Sequence, residues 1–303
     1  MAGILPPELI LEILSWLPVT SLMRFRCVSK TWKFFISNPY LVKLHFEKSS
    51  RNPQILLMAT QRYNPCFLAR LCSLPCLIQN PAPSSCGRTF RCPKPYEYLF
   101  GSCNGLLSLH NSLSTKKYEE HWVRFWNPAT NIWSRPSPRL RLNLRIYDPD
   151  EIDFGFAYDD RRDNYMVVAI VLDRSIGKRS VWVYCMGDVR WRRSVTSPIF
   201  FLTRDEIEST IIALFALKDV RDERSWSWLL NVSYETLNIS PYLHQLQILG
   251  MLGDLLLLSY TYLDASNIII TFNFKENKVE HTQTYYRKFI FSCNYVPSLI
   301  LSV

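Results

Sequence analysis

The sequence predicts a small all-α segment followed by a larger, mostly β body, and three observations carry that expectation. The first fifty residues place apolar side chains at three- and four-residue spacing between proline and serine breaks. Beyond residue 97 the apolar runs are short and separated by turn formers, and almost none keeps a helical period. Within that β region a ring, a turn and a second ring recur at intervals of tens of residues, the mark of repeated hairpin units.

The helical segment comes first. Leu5-Pro-Pro-Glu-Leu9 opens with prolines suited to a first turn, whose amides need no intrahelical partner, and Glu8 sits near the positive end of the helix dipole. Leu9, Ile10, Ile13, Leu14 and Leu17 follow on one side, and Pro18 stops the helix. Thr20 or Ser21 is expected to cap a second helix through Val28, Ser29 a third through Ile36, and Asn38-Pro39 to close it. Three helices this short cannot bury all of Leu5, Leu9, Ile10, Ile13, Leu14, Leu17, Leu22, Phe25, Val28, Trp32 and Phe35 among themselves, so a partner must cover some of them.

Residues 47–97 read as a linker and a loop-rich entry, polar at Glu47 to Asn52 and rich in Pro, Cys and Ser at Pro75 to Pro83 and Cys86 to Pro95. The β domain proper is expected over residues 98–303. Trp126-Asn-Pro-Ala-Thr-Asn-Ile-Trp133, Tyr184-Cys-Met-Gly-Asp-Val-Arg-Trp191 and Phe274-Lys-Glu-Asn-Lys-Val-Glu-His281 share one frame, a hairpin whose flanking residues pair across the strands. Gly101 to Leu109 and Gly250 to Leu258 repeat a glycine turn that feeds a buried strand. Hairpin units so spaced imply a propeller of roughly five or six blades, with a β-sandwich as the alternative.

Composition bounds the function. With 48% hydrophobic and 14% aromatic residues in 303, the chain is not disordered. The net charge of +9 is spread along it, with six basic and three acidic residues in the first fifty. Basic runs at Arg139, Arg141 and Arg145 and at Arg190, Arg192 and Arg193 are read as solvated strand faces, with a phosphate-binding surface as the alternative. Six of nine cysteines fall between Cys66 and Cys103, yet there is no Cys-x-x-Cys and no basic signal-like start, so a reducing compartment is expected, cytoplasm or nucleus. The apolar runs Ile4 to Leu17 and Ile248 to Tyr260 are too short and too charged to cross a membrane.

No catalytic constellation is legible. His45, His110, His121, His244 and His281 are scattered singly, without a His-x-x-x-His, a nucleophile elbow or a phosphate-cradling glycine loop. Asp148-Pro-Asp150-Glu151 and Tyr158-Asp159-Asp160 read as turns. Cys66, Cys72, Cys76, Cys86 and Cys92 lack paired-ligand spacing, so neither metal nor cofactor is expected. The tryptophans at strand-alternating positions are expected in the core.

Taken in order and spacing, Leu5-Pro6-Pro7-Glu8-Leu9, Ile13-Leu14, Leu17-Pro18, Ser21-Leu22, Arg26-Cys27-Val28-Ser29-Lys30 and Trp32 resemble the F-box pattern, which places an F-box over residues 1–46. The resemblance implies that Leu5, Pro6, Ile10, Ile13, Leu14, Leu17, Pro18, Leu22, Val28 and Trp32 contact or support a Skp-type adaptor, and through it a cullin. Gly101-Ser-Cys-Asn-Gly-Leu-Leu, Phe125-Trp-Asn-Pro-Ala-Thr, Asp153-Phe-Gly-Phe-Ala-Tyr-Asp, Asp163-Asn-Tyr-Met-Val-Val, Val181-Trp-Val-Tyr, Trp191-Arg and Asn294-Tyr-Val-Pro-Ser-Leu resemble the F-box-associated domain of plant F-box/kelch-repeat proteins. Between Ser197 and Trp226 about one blade's worth of that pattern is absent, so a shortened, incomplete propeller is expected there. The combined resemblance implies a non-catalytic substrate receptor of a Skp–cullin–F-box ubiquitin ligase with an unidentified target protein. A nucleic-acid or glycan-binding propeller, suggested by the net charge and nine tryptophans, and a degenerate copy without substrate are the alternatives.

Overall fold

The computed structural model describes residues 5–51, 54–61, 64–73, 89–92, 98–159, 162–173, 177–193, 211–217, 226–233, 235–239, 246–252, 254–261, 267–285 and 289–299. It opens with four helices, α1 (Pro7–Ser15), α2 (Val19–Phe25), α3 (Lys30–Ile36) and α4 (Pro39–Ser49). The fourth was not expected. Asn38-Pro39 closes one helix as read, but Asn38 Oδ1 also accepts the Tyr40 amide at 2.9 Å and Pro39 takes the first position of α4. Ser29 caps α3 as expected, accepting the Trp32 amide at 3.2 Å. The expected Thr20 or Ser21 cap is corrected: α2 already begins at Val19, behind Pro18, with no side-chain cap.

Nineteen strands follow, in five antiparallel sheets among the described residues. The first sheet joins β1 (Gln54–Gln61), β2 (Asn64–Ser73) and β3 (Thr89–Cys92) to β19 (Phe289–Tyr295), in the order β19-β1-β2-β3. The loop-rich entry read over 47–97 is therefore corrected. Leu56, Ala69 and Leu71 are buried with Tyr295, so these residues build most of a sheet whose missing strand comes from the far end of the sequence.

The second sheet runs β4 (Tyr98–Cys103), β5 (Leu106–Ser114), β6 (Tyr118–Asn127), β7 (Ile132–Trp133), with β8 (Leu140–Asn143) also on β6. The third holds β9 (Tyr147–Asp159), β10 (Asn164–Asp173), β11 (Lys178–Cys185) and β12 (Arg192–Arg193). Next comes a pair, β13 (Ile211–Leu217) and β14 (Trp226–Ser233), then β15 (Leu246–Leu252), β16 (Leu255–Thr261), β17 (Asn267–Asn273) and β18 (Lys278–Tyr285). The first strands of successive sheets lie side by side, β15 against β19, β19 against β4, and β4 against β9. That is the arrangement of kelch-type blades around a common centre, and consecutive strands grouped into separate small sheets do not make the alternative sandwich. Where a shortened blade was expected, the β13–β14 pair has two described strands against four or five elsewhere.

Each hairpin repeat has its own outcome. Trp126 and Trp133 pair directly across β6 and β7 and their rings stack at 5.0 Å, while Tyr184 and Trp191 lie 5.4 Å apart. The third copy differs. A register shift between Thr271 and Phe272 puts His281 opposite Thr271 on the backbone ladder, and Phe274, like Val279, packs against the core of this sheet instead. In all three turns one residue has positive φ, Asn131, Gly187 or Asn277. Asp148-Pro-Asp150-Glu151, read as a turn, is corrected to strand: it belongs to β9, which absorbs the irregularity through a register shift opposite Val171 and Leu172.

Two contacts lock the helices to the β domain. Leu299, fully buried, enters the helical core beside Leu14, Val19, Leu22, Ile36 and Leu41, with Ala129 of the β6–β7 turn at its margin. Just before it, Ser298 O accepts from Asn127 Nδ2 at 3.1 Å. Gly105 lets this strap pass, because a Cβ there would stand 2.3 Å from Ser298 Oγ and 2.6 Å from Val296 O.

Candidate docking surface

Leu9, Ile10, Leu11, Ile13 and Leu14 of α1 span an arc of about 200° at 3.6 residues per turn, wider than one small core can cover. The helix divides accordingly. Leu14 is buried and Ile10 and Leu17 lean on the same core, whereas Leu9 and Ile13 face solvent with Trp16 beyond them. The others follow the same logic. Leu5, Phe25, Val28, Phe34 and Tyr40 are exposed, Val28 at 69% and Phe34 at 72%.

Among the described residues eleven large apolar side chains are exposed, and eight of them lie in the first fifty positions. Such concentration on a segment of four helices marks a surface built to be covered. Of the sequence-predicted adaptor residues, Leu5, Pro6, Ile13, Pro18 and Val28 are exposed, Ile10, Leu17 and Trp32 are half-buried, and Leu14 and Leu22 lie within the core. Leu14 and Leu22 can support a contact but not make one. Leu9 and Phe25 were named as needing cover but not as adaptor contacts, and Trp16, Phe34 and Tyr40 were not singled out. Leu9, Ile13 and Trp16 are four and three residues apart, so a second helical stripe was there to be read.

Beneath the surface the helices are tied by polar contacts. Lys48 of α4 pairs with Glu12 of α1, donates to Ser15 Oγ at 2.6 Å, and lies 4.2 Å over the Trp16 ring. That pairing holds the Glu12 carboxyl below its ordinary value. His45 is buried, with Nε2 2.9 Å from Leu17 O and Nδ1 3.2 Å from Ser49 Oγ, and burial holds it below the usual imidazole range. Trp16, Leu17, His45 and Lys48 line a cleft of about 460 Å³ that Ala129 and Pro297 close from the β side.

The histidines read as scattered are not all so. The β5–β6 hairpin brings His110 Nε2 to 3.0 Å from His121 Nδ1, against the Phe154 ring. His121 Nε2 is buried without a partner. Burial, then the neighbouring imidazole, pushes His110 down to about 3. Eleven residues of separation hid the pair, since only the hairpin register makes it. No group of three or more His, Cys, Asp or Glu side chains among the described residues could hold a metal ion. Cys72 is buried and its thiol is pushed up to about 11, while the side chains of Cys66, Cys76, Cys86 and Cys92 lie outside the described residues. Trp126 and Trp191 are core, as expected of the tryptophans, and Trp122 is half-buried on the outer face. No helix of the described residues is long and apolar enough to cross a membrane.

Residues 4–44 match the F-box domain. The chain carries an F-box domain at this end. It is 27% identical over 243 residues to an F-box/kelch-repeat protein of Arabidopsis thaliana, covering 76% of this chain and 62% of the relative. It is also 47% identical over 205 residues to an Arabidopsis F-box protein, covering 62% of this chain and 42% of the relative. The Arabidopsis F-box protein DOR is 28% identical over 198 residues, covering 62% and 48%. The chain thus spans about three fifths of the first relative and under half of the other two. Its kelch-like blades agree with the kind of relative it matches.

Proposed function

We propose that the chain is the substrate-recognition subunit of a Skp–cullin–F-box ubiquitin ligase. The F-box binds the Skp-type adaptor, and through it the cullin, while the blades hold a target protein. The eight exposed apolar side chains on the F-box are the observation that carries this reading. The chain itself performs no chemistry. It raises the rate of ubiquitin transfer by holding target lysines near the thioester of the conjugating enzyme. We infer the cytoplasm or nucleus as its compartment, where the ligase works and where a buried thiol such as that of Cys185 stays reduced.

The test is co-expression with a Skp-type adaptor. Wild-type chain should co-purify, and Ile13→Asp with Val28→Asp should abolish capture while leaving the fold intact, because both side chains are exposed. Failure of the wild type to co-purify, or capture equal in wild type and variant, would overturn it.

A further inference from the structure

Residues 116–145 hold seven basic and two acidic residues, so a tenth of the sequence carries more than half of the net charge of +9. The structure brings Arg139 and Arg141 of this stretch together beside Glu120 on one blade. Along β6 the odd positions Val123 and Phe125 enter the core, which turns Tyr118, Glu120, Trp122 and Arg124 to the other face. Leu140 and Leu142 of β8 also face the core, leaving Arg141 outward and directly opposite Glu120 in register, with Arg139 one step further on.

The side chains form a ladder. Arg141 lies 4.3 Å over the Tyr118 ring and Arg139 4.0 Å over the Trp122 ring. Glu120, mostly buried, ties the two together: its Oε1 accepts from Arg141 Nε at 2.9 Å and Nη2 at 2.6 Å, and its Oε2 is 3.4 Å from Arg139 Nη1. The solvated strand face expected of these arginines is therefore ordered. Two guanidinium groups are held over rings by one shared carboxylate, one strand repeat apart, and they remain half-exposed. Arg141 spends Nε and Nη2 on Glu120, which leaves its Nη1 hydrogens for a partner.

Its place in the fold fits a recognition role. Asn127, at the end of β6, bonds the strap that enters the F-box core, and Tyr118 lies at the opposite end of that ten-residue strand, about 30 Å away at 3.3 Å per residue. A ligand on the ladder would stand clear of an adaptor on the helices.

We propose that the exposed end of this face of the β4–β8 sheet, around Arg139 and Arg141, docks an extended acidic segment of a target protein, with carboxylates at alternate residues meeting the two arginines. The proposal rests on the receptor reading above and names the chemistry of its target. Charge complementarity favours an anion, and the spacing of the guanidinium groups along the strand matches that of side chains on one face of an extended peptide. Single-stranded nucleic acid is the weaker fit, because it needs open rings to stack on and here both rings are covered by arginine.

The experiment is a fluorescence-anisotropy titration of the full chain with a short labelled peptide of alternating Glu and Ser, beside a Gln–Ser control and a single-stranded DNA of equal length. The Glu–Ser peptide should bind, weaken with salt, and lose about tenfold in affinity in the Glu120→Gln, Arg139→Gln, Arg141→Gln variant, a change in which no buried charge loses its partner. Should that variant misfold, Arg139→Gln alone keeps the Arg141–Glu120 pair and should still cost about threefold. Equal binding of the Gln–Ser control, unchanged affinity in the variants, or tighter binding of the DNA would overturn the proposal. Adaptor capture is read separately, through Ile13 and Val28, so failure there is distinguishable from failure here.

Discussion

The F-box and the second and third blades solve the same problem in opposite ways. The blades bury their apolar surface against each other: Val123, Phe125, Leu140 and Leu142 of one sheet meet Tyr165, Val167, Ala169, Val171, Tyr184 and Trp191 of the next. Trp191 Nε1 donates across the seam to Pro138 O at 2.8 Å, so even its polar edge is satisfied. The F-box buries only part of its apolar surface, and borrows Leu299 from the far end of the sequence to do so. A region that completes its own core needs nothing else; one that leaves Leu9, Ile13, Val28 and Phe34 in water is completed by association.

That contrast can be broken experimentally at several levels. The largest effect is expected inside the blade seam, where Phe125→Ala should cost about 3–5 kcal/mol, read as a fall in the denaturant midpoint. If Phe125→Ala leaves the midpoint unchanged, the blades are not the self-sufficient core described. Leu22→Ala in the F-box should cost about 2–5 kcal/mol. Leu299→Ala, at the other end of the sequence, should lower the same transition; independent melting of helices and blades in that variant would show that the strap does not couple them.

Acid should act on the seam next. An unfolded chain protonates His110 near its ordinary value of 6.5, whereas the folded one refuses the proton until about 3. The contribution of neutral His110 is therefore complete above pH 6.5 and declines as pH falls through the window below it, by about 2 kcal/mol at pH 5. His45 in the F-box, also lowered by burial, shifts with the same sign. Urea midpoints measured against pH should fall on acidification, and His110→Asn should flatten the profile; an unchanged slope in that variant would assign the effect elsewhere. The smallest effect on stability is expected from Ile13→Asp, within about 0.5 kcal/mol, because the side chain is already solvated. A large loss of stability there would mean that the exposed stripe belongs to the core after all.

Much of this was legible in the residues. Proline and serine punctuation marked three of the four helices, and the seven-residue spacing of Trp126 and Trp133 marked a hairpin whose rings do stack. Less was legible about faces. Leu14 and Ile13 are adjacent, both apolar and both part of the docking pattern, yet one is 2% exposed and the other 53%. Spacing alone gives the arc a helix presents, and only its neighbours decide which part of that arc is covered.

By itself the sequence determined what is encoded locally: where helices start and stop, where chains turn, and the ordered pattern that identifies an F-box. Each depends on residues within a turn or two of one another, because capping and turn geometry are short-range hydrogen-bonding events. The tertiary structure alone decided that Gln54 pairs with Tyr295, that Leu299 enters a core of residues 14–41, that His110 meets His121, and that two arginines share Glu120. Those contacts join positions that no local period links, and strand pairing follows from the complementary burial of whole sheets.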